Sequence, residues 1–121
     1  MFIKLLKSKI HLATITDKKL FYEGSLTLDK KIMEKANLKP FEAVWIYNVN
    51  NGKRFETYLI EGNKGEVILN GAAARLGEIG DKIIIVSYAW VSEKEIKDFQ
   101  TTLVYLTDQN EIKEIKLKSI T

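Results

Sequence analysis

Two runs in which apolar and polar residues alternate, EAVWIYNV (42–49) and RFETYLIEG (54–62), stand on either side of Asn50-Asn51-Gly52. Asn and Gly tolerate the positive φ that a tight chain reversal demands, so this arrangement specifies a β-hairpin. The rest of the chain continues in the same way. Residues 2–15 (FIKLLKSKIHLATI) set Ile10 and Leu12 against Lys9 and His11 and predict a long, bent strand. A second strand is predicted over 24–29, with Asp29 placed to N-cap a short helix at 30–36. Pro40 breaks the chain before the hairpin, and Gly62 to Gly65 turn it into a further strand at 66–70. GAAARLG (71–77) reads as a short helical turn, GDKIIIVSYAWV (80–91) as a central strand and SEKEIKDF (92–99) as a short surface helix. Strands over 101–107 and 111–118 complete the chain. The sum is a mainly β domain with a few short helices. So many short strands favour a small closed barrel, because closure removes exposed edges.

With 121 residues the chain is long enough for one compact domain and too short for two ordinary ones. A hydrophobic fraction of 45% is enough for a full core. The longest apolar run, IIIVSYAWV (83–91), is far below the roughly 20 residues of a membrane-spanning helix and is interrupted by Ser87. Lysines spread through MFIKLLKSKIH argue against a signal peptide, and a cytoplasmic protein is expected. There is no cysteine and only one histidine, His11, which removes disulfides, thiolate chemistry and multi-histidine metal centres; no metal is expected. Nineteen Lys and Arg stand against 16 Asp and Glu, a mild and dispersed excess rather than the basic stripe of a nucleic-acid binder. Only Arg54 and Arg75 among these cations are arginines. In a chain that relies on lysine for solubility, an arginine points to use of its planar fork.

Four blocks stand in a telling order: KIH (9–11), YEGS (22–25), NGKRFETY (51–58) and NGAAA (70–74). Together they resemble the pyruvoyl-dependent aspartate α-decarboxylase family, along essentially the whole chain. The resemblance implies a double-psi β-barrel and a precursor that cleaves itself between Gly24 and Ser25, leaving fragments 1–24 and 25–121. The residue types suit that chemistry. The Ser25 hydroxyl can attack the Gly24 carbonyl in an N-to-O acyl shift, and β-elimination and hydrolysis then convert residue 25 into a pyruvoyl group. Serine oxygen serves as both nucleophile and leaving group, and glycine adopts strained backbone conformations without a Cβ penalty. The ketone would form a Schiff base with L-aspartate and accept the electrons released with the α-carboxylate, giving β-alanine for pantothenate and coenzyme A synthesis.

The same resemblance assigns roles residue by residue. Tyr58 matches the proton donor. Thr57 matches a residue that hydrogen-bonds near the cleavage carbonyl and later contacts substrate. Arg54 matches the clamp on the substrate's side-chain carboxylate, for which a bidentate guanidinium is suited. Lys9 and His11, two apart on a strand and so on one face, match residues lining the site. Asn70 with the backbone of Gly71, Ala72 and Ala73 matches a substrate-binding loop in which small residues let N–H groups approach an anion. Tyr22 and Tyr47 are placed to line the pocket. A homotetramer with active sites between neighbouring subunits is implied, while a helper protein for maturation is left open.

Without the blocks each residue has a plainer reading: a turn serine, a core tyrosine, a strand threonine chosen for β-propensity, a half-buried structural imidazole. Two rivals also stand at this level. A nucleic-acid-binding β-barrel would suit the isoelectric point of about 9.0, although it has no use for the four blocks. An uncleaved, non-catalytic paralogue would keep the fold and lose the chemistry. Glutamate in place of aspartate is excluded only by analogy.

Overall fold

The computed structural model describes residues 1–121. The mainly β class expected from the pattern is what the chain adopts. Its strands are β1 (Phe2–Thr14), β2 (Asp17–Lys19), β3 (Ser25–Asp29), β4 (Ala43–Asn48), β5 (Arg54–Gly62), β6 (Val67–Asn70), β7 (Lys82–Ser92), β8 (Gln100–Leu106) and β9 (Ile112–Ser119). One short helix, α1 (Lys30–Lys35), and two 3-10 turns, Gly71–Leu76 and Ile96–Asp98, interrupt them. The hydrogen-bonded order is β2-β6-β3-β5-β4-β7-β1-β8-β9. Hairpin β4–β5 forms as the Asn-Asn-Gly signal predicts, with Gly52 at φ 75°. β3 runs parallel to β5, β2 to β6 and β1 to β8. Such pairings join segments distant in sequence and leave no local signal.

β1 bends as expected, and the cause is visible. Its register against β7 shifts between Leu6 and Ser8 and again between Ile10 and Ala13, where Leu12 takes φ 62°. The strand starting near Gly24 begins at Ser25, the surface helix over 92–99 is a single turn at 96–98, and the polar three-residue β2 escapes any periodicity argument. Asp29 caps α1 as predicted: one carboxylate oxygen accepts from the Lys31 and Ile32 N–H groups and the other from Gly65. β9 is the exposed terminal strand of the sheet, and its lysines discourage pairing at that open edge.

The core is built from inward residues of most strands, among them Ile10, Leu26, Leu28, Ile46, Leu59, Leu69, Ile83, Ile85 and Val104. All five residues of β3 are buried, so Ser25, Thr27 and Asp29 place polar groups inside the protein. Such groups must find partners there.

A part-buried polar junction ties β1 and β7 to Glu42, the residue that precedes β4. The Lys7 ammonium donates to both Glu42 carboxylate oxygens at 3.0 and 2.8 Å, the Ser87 hydroxyl donates to the same carboxylate, and so does the Lys39 N–H at 3.0 Å. Burial alone would raise the Glu42 pKa, but these hydrogen bonds and the Lys7 charge together hold it below the ordinary value. A carboxyl group whose pKa is depressed by folding adds stability above its unfolded pKa, near 4.3, and that contribution is lost as pH falls through the folded value. Thermal melts of the wild type should therefore fall in this acid window more steeply than those of Glu42→Gln. Parallel curves for the two proteins would show that the junction carries no linked proton.

Candidate active site

β3 carries Ser25 into the interior at its first residue, where the side chain is 1% exposed. β6 pairs antiparallel with β3 and sets Asn70 opposite Ser25. The Asn70 carboxamide nitrogen donates to Ser25 Oγ at 3.0 Å and to Thr27 Oγ1 at 2.9 Å, while the Ser25 hydroxyl donates to the Glu23 carbonyl at 3.1 Å. The Ser25 oxygen is thus oriented from both sides, beside the peptide that joins it to Gly24. Asn70 is itself completely buried, and its Oδ1 has no hydrogen-bond partner. An acceptor left free in a buried site stands out against the rule of satisfied interiors.

Gly71 follows at φ 64°. A Cβ there would lie 2.7 Å from Gly24 Cα and 2.9 Å from Gly24 N. Glycine is thus required twice at this position, by conformation and by the close passage of the 22–24 segment. Gly71→Ala is expected to lower stability by at least about 1–2 kcal/mol, the usual penalty of a left-handed L-residue. Urea unfolding measures this, and an unchanged midpoint would show that the segment yields freely.

β5 lies on the other side of β3. The parallel register pairs Leu26 with Leu59, so one step back Tyr58 stands level with Ser25 on the same face. The Tyr58 ring packs at 6.2 Å from that of Phe41. Thr57 precedes it, but the bonds to the Ser25 hydroxyl involve Asn70 and Glu23 rather than Thr57. Ala72 is exposed and Ala73 buried on the turn after Asn70. Tyr22 is half exposed beside the Gly24–Ser25 segment.

Arg54 is four residues from Tyr58, about 13 Å along the strand. It faces Tyr47 across the hairpin, its guanidinium carbon 4.6 Å from the ring centre. The Tyr47 hydroxyl lies 2.8 Å from that of Tyr88, and this bond, with burial, raises the Tyr88 pKa. Lys4, Trp45, Tyr47, Arg54 and Tyr88 line an open cleft of about 410 Å³. No carboxylate of the chain pairs with Arg54, so its two-donor edge is free. Lys9 and His11 sit on β1, separated from β3 in the sheet by β5, β4 and β7. The His11 ring packs edge-on against Tyr105 at 5.6 Å. Burial, with the Lys9 charge, lowers its pKa.

One chain therefore brings together Gly24, Ser25, Asn70 and Gly71, with Tyr58 on the neighbouring strand one step before the Leu26–Leu59 pair. It holds Arg54 and the Lys9–His11 pair apart from them. Two residues at these clusters escaped the sequence reading. Thr27 is a hydroxyl among the leucines of SLTLD, which a buried strand has little reason to carry. Tyr88 is hidden in the longest apolar run, where an aromatic reads as core.

This arrangement defines a small, mainly β protein that buries a serine beside a glycine peptide, and comparison with known proteins narrows it. Residues 1–113 match the family described as aspartate decarboxylase. A protein of Persephonella marina named aspartate 1-decarboxylase is 63% identical over 110 residues, covering 89% of this chain and 79% of its own. Its namesake in a Sulfurihydrogenibium species is 60% identical over 119 residues, covering 96% and 89%. That of Campylobacter fetus is 54% identical over 115 residues, covering 94% and 100%. The chain belongs to the aspartate decarboxylase family.

Proposed function

We propose that this protein decarboxylates L-aspartate to β-alanine, the amine that pantothenate synthesis consumes, after cutting its own chain between Gly24 and Ser25. The observation that carries the reading is the Ser25 oxygen held between the Asn70 N–H and the Glu23 carbonyl, with Gly71 packed on Gly24. In the cut, Ser25 Oγ bonds to the Gly24 carbonyl carbon while the carbon–nitrogen bond breaks and the nitrogen takes the hydroxyl proton. The ester then loses the residue-25 α-proton, and the Gly24 carboxylate leaves with the oxygen. Hydrolysis of the remaining enamine releases ammonia and leaves a pyruvoyl terminus.

The surroundings fit such a group: the Asn70 carboxamide N–H, which donates to the Ser25 oxygen, is placed to donate to a ketone oxygen at residue 25, and Gly71 leaves room that a side chain would fill. When present, the ketone supplies an electron sink for the bond to the departing carboxylate. The chain supplies the rest. Tyr58, level with residue 25, returns a proton to the former α-carbon. Asn70 and the backbone of Gly71, Ala72 and Ala73 hold the substrate at the reacting end, with Thr57 beside them. Arg54 binds the side-chain carboxylate through its fork. His11 and Lys9 complete the wall, the first as a hydrogen-bonding ring and the second as a cation.

Arg54 stands about 13 Å from Tyr58 along the β5 backbone, and Lys9 and His11 lie on β1, with β5, β4 and β7 between it and β3. This supports a site shared between subunits of the homotetramer that the family resemblance implies, with the Arg54 and Lys9–His11 clusters of one subunit facing Ser25 of its neighbour. The reaction is assigned to the cytoplasm; no helix of the chain is long and apolar enough to cross a membrane.

The direct test is intact mass of the purified protein together with its activity. Fragments 1–24 and 25–121 and release of β-alanine from aspartate are expected. A protein that decarboxylates aspartate while remaining at full mass overturns the self-cleavage. Arg54→Lys examines the clamp. It keeps the charge but loses the two-donor geometry, worth roughly 1.5–3 kcal/mol for a charge-assisted bond, so kcat/KM should fall about 10–100-fold. Cleavage should be nearly unchanged. A turnover equal to wild type would show that Arg54 serves the fold or the subunit contact instead.

A further inference from the structure

We propose that Thr27 is a positioning residue for the self-cleavage, its hydroxyl holding the Asn70 carboxamide against the Ser25 oxygen. The inference rests on the reading of Gly24–Ser25 as the cleaved bond. Residues 25 and 27 of β3 point to the same face, and the single Asn70 amide nitrogen bridges their two oxygens at 3.0 and 2.9 Å. All three residues are buried, with Thr27 8% exposed. Water is therefore poorly placed to substitute for a lost partner.

The Thr27 side chain has little rotational freedom of its own. Its methyl group occupies the space in front of Gly62, where an added Cβ would lie 2.5 Å from Thr27 Cγ2. With the methyl set against β5, the hydroxyl is turned toward Asn70. Removing that oxygen would leave an unpaired N–H on a carboxamide whose Oδ1 already lacks a partner. Two unsatisfied polar atoms in one buried amide are relieved most readily by rotation of the group. Rotation takes the N–H away from Ser25. The serine oxygen then loses both its fixed orientation toward the Gly24 carbonyl and the donor that favours its departure as carboxylate.

The experiment follows purified full-length protein by intact mass and records the rate at which fragments 1–24 and 25–121 appear. Thr27→Val keeps the shape and deletes the oxygen; cleavage is expected to slow about tenfold or more, the effect of losing one positioned hydrogen bond. Thr27→Ser keeps the oxygen and deletes the methyl, and should cleave within about threefold of wild type. Melting temperatures in a Ser25→Ala background separate a slower cut from a damaged fold. Wild-type rates in Thr27→Val, or a Thr27→Ser variant as slow as Thr27→Val, overturn the role of the hydroxyl. If Thr27→Val does not fold, Gly62→Ala decides. It should slow cleavage by displacing the Thr27 methyl group, and Gly62→Ala/Thr27→Ser should recover the rate because that methyl is gone. Equal rates in those two variants overturn the proposal. A wild-type chain that never cleaves overturns the underlying reading as well, an outcome distinct from cleavage that ignores Thr27.

Discussion

Ser25→Ala is expected to leave the chain whole and without activity on aspartate, even after prolonged incubation. Alanine keeps the backbone and nearly the volume of serine but has no oxygen to attack the Gly24 carbonyl, and residue 25 then cannot become a ketone. The fold should survive. Loss of the Ser25 hydroxyl removes one acceptor from Asn70, which retains Thr27, and frees the Glu23 carbonyl at an exposed segment. Intact mass should show a single species, with a melting temperature near that of the precursor. Decarboxylation by this variant would mean that another electron sink does the chemistry. Fragments cut at the same bond would mean that the chain is cleaved by something other than its own serine.

Tyr58→Phe should separate maturation from turnover. Ser25 is oriented by Asn70 and Glu23, not by the phenol, so fragments 1–24 and 25–121 should appear at the wild-type rate. Phe retains the ring that packs on Phe41 and loses only the group proposed to return the proton. Turnover should fall about 10²–10⁴-fold, the usual range for a positioned general acid. Near-normal turnover would make Tyr58 a wall residue and give the proton transfer to water or another side chain.

The interior of β3 shows how far local pattern reaches. SLTLD is recognisable as a strand, and Asp29 as a helix cap, because each depends on neighbours within a few residues. That all five residues are buried follows from β5 and β6 pairing on its two sides, and no period of two announces it. Thr27 therefore carries no local signal of its role. Its partners are Asn70, 43 positions away, and the space in front of Gly62.

The candidate site divides along the same line. Gly24–Ser25, Arg54, Tyr58 and Asn70–Ala73 were legible because they fall in contiguous blocks whose residue types and order mark the family. Alternation along 42–62 was enough for the hairpin, since its turn and register are local. What depended on the tertiary structure was which of these residues meet. A parallel register between β3 and β5 sets Tyr58 level with Ser25, an antiparallel one sets Asn70 opposite it, and the left-handed Gly71 lets the 22–24 segment pass at contact distance. Those are long-range pairings, decided when the whole core is buried at once, and separation along the chain carries no record of them.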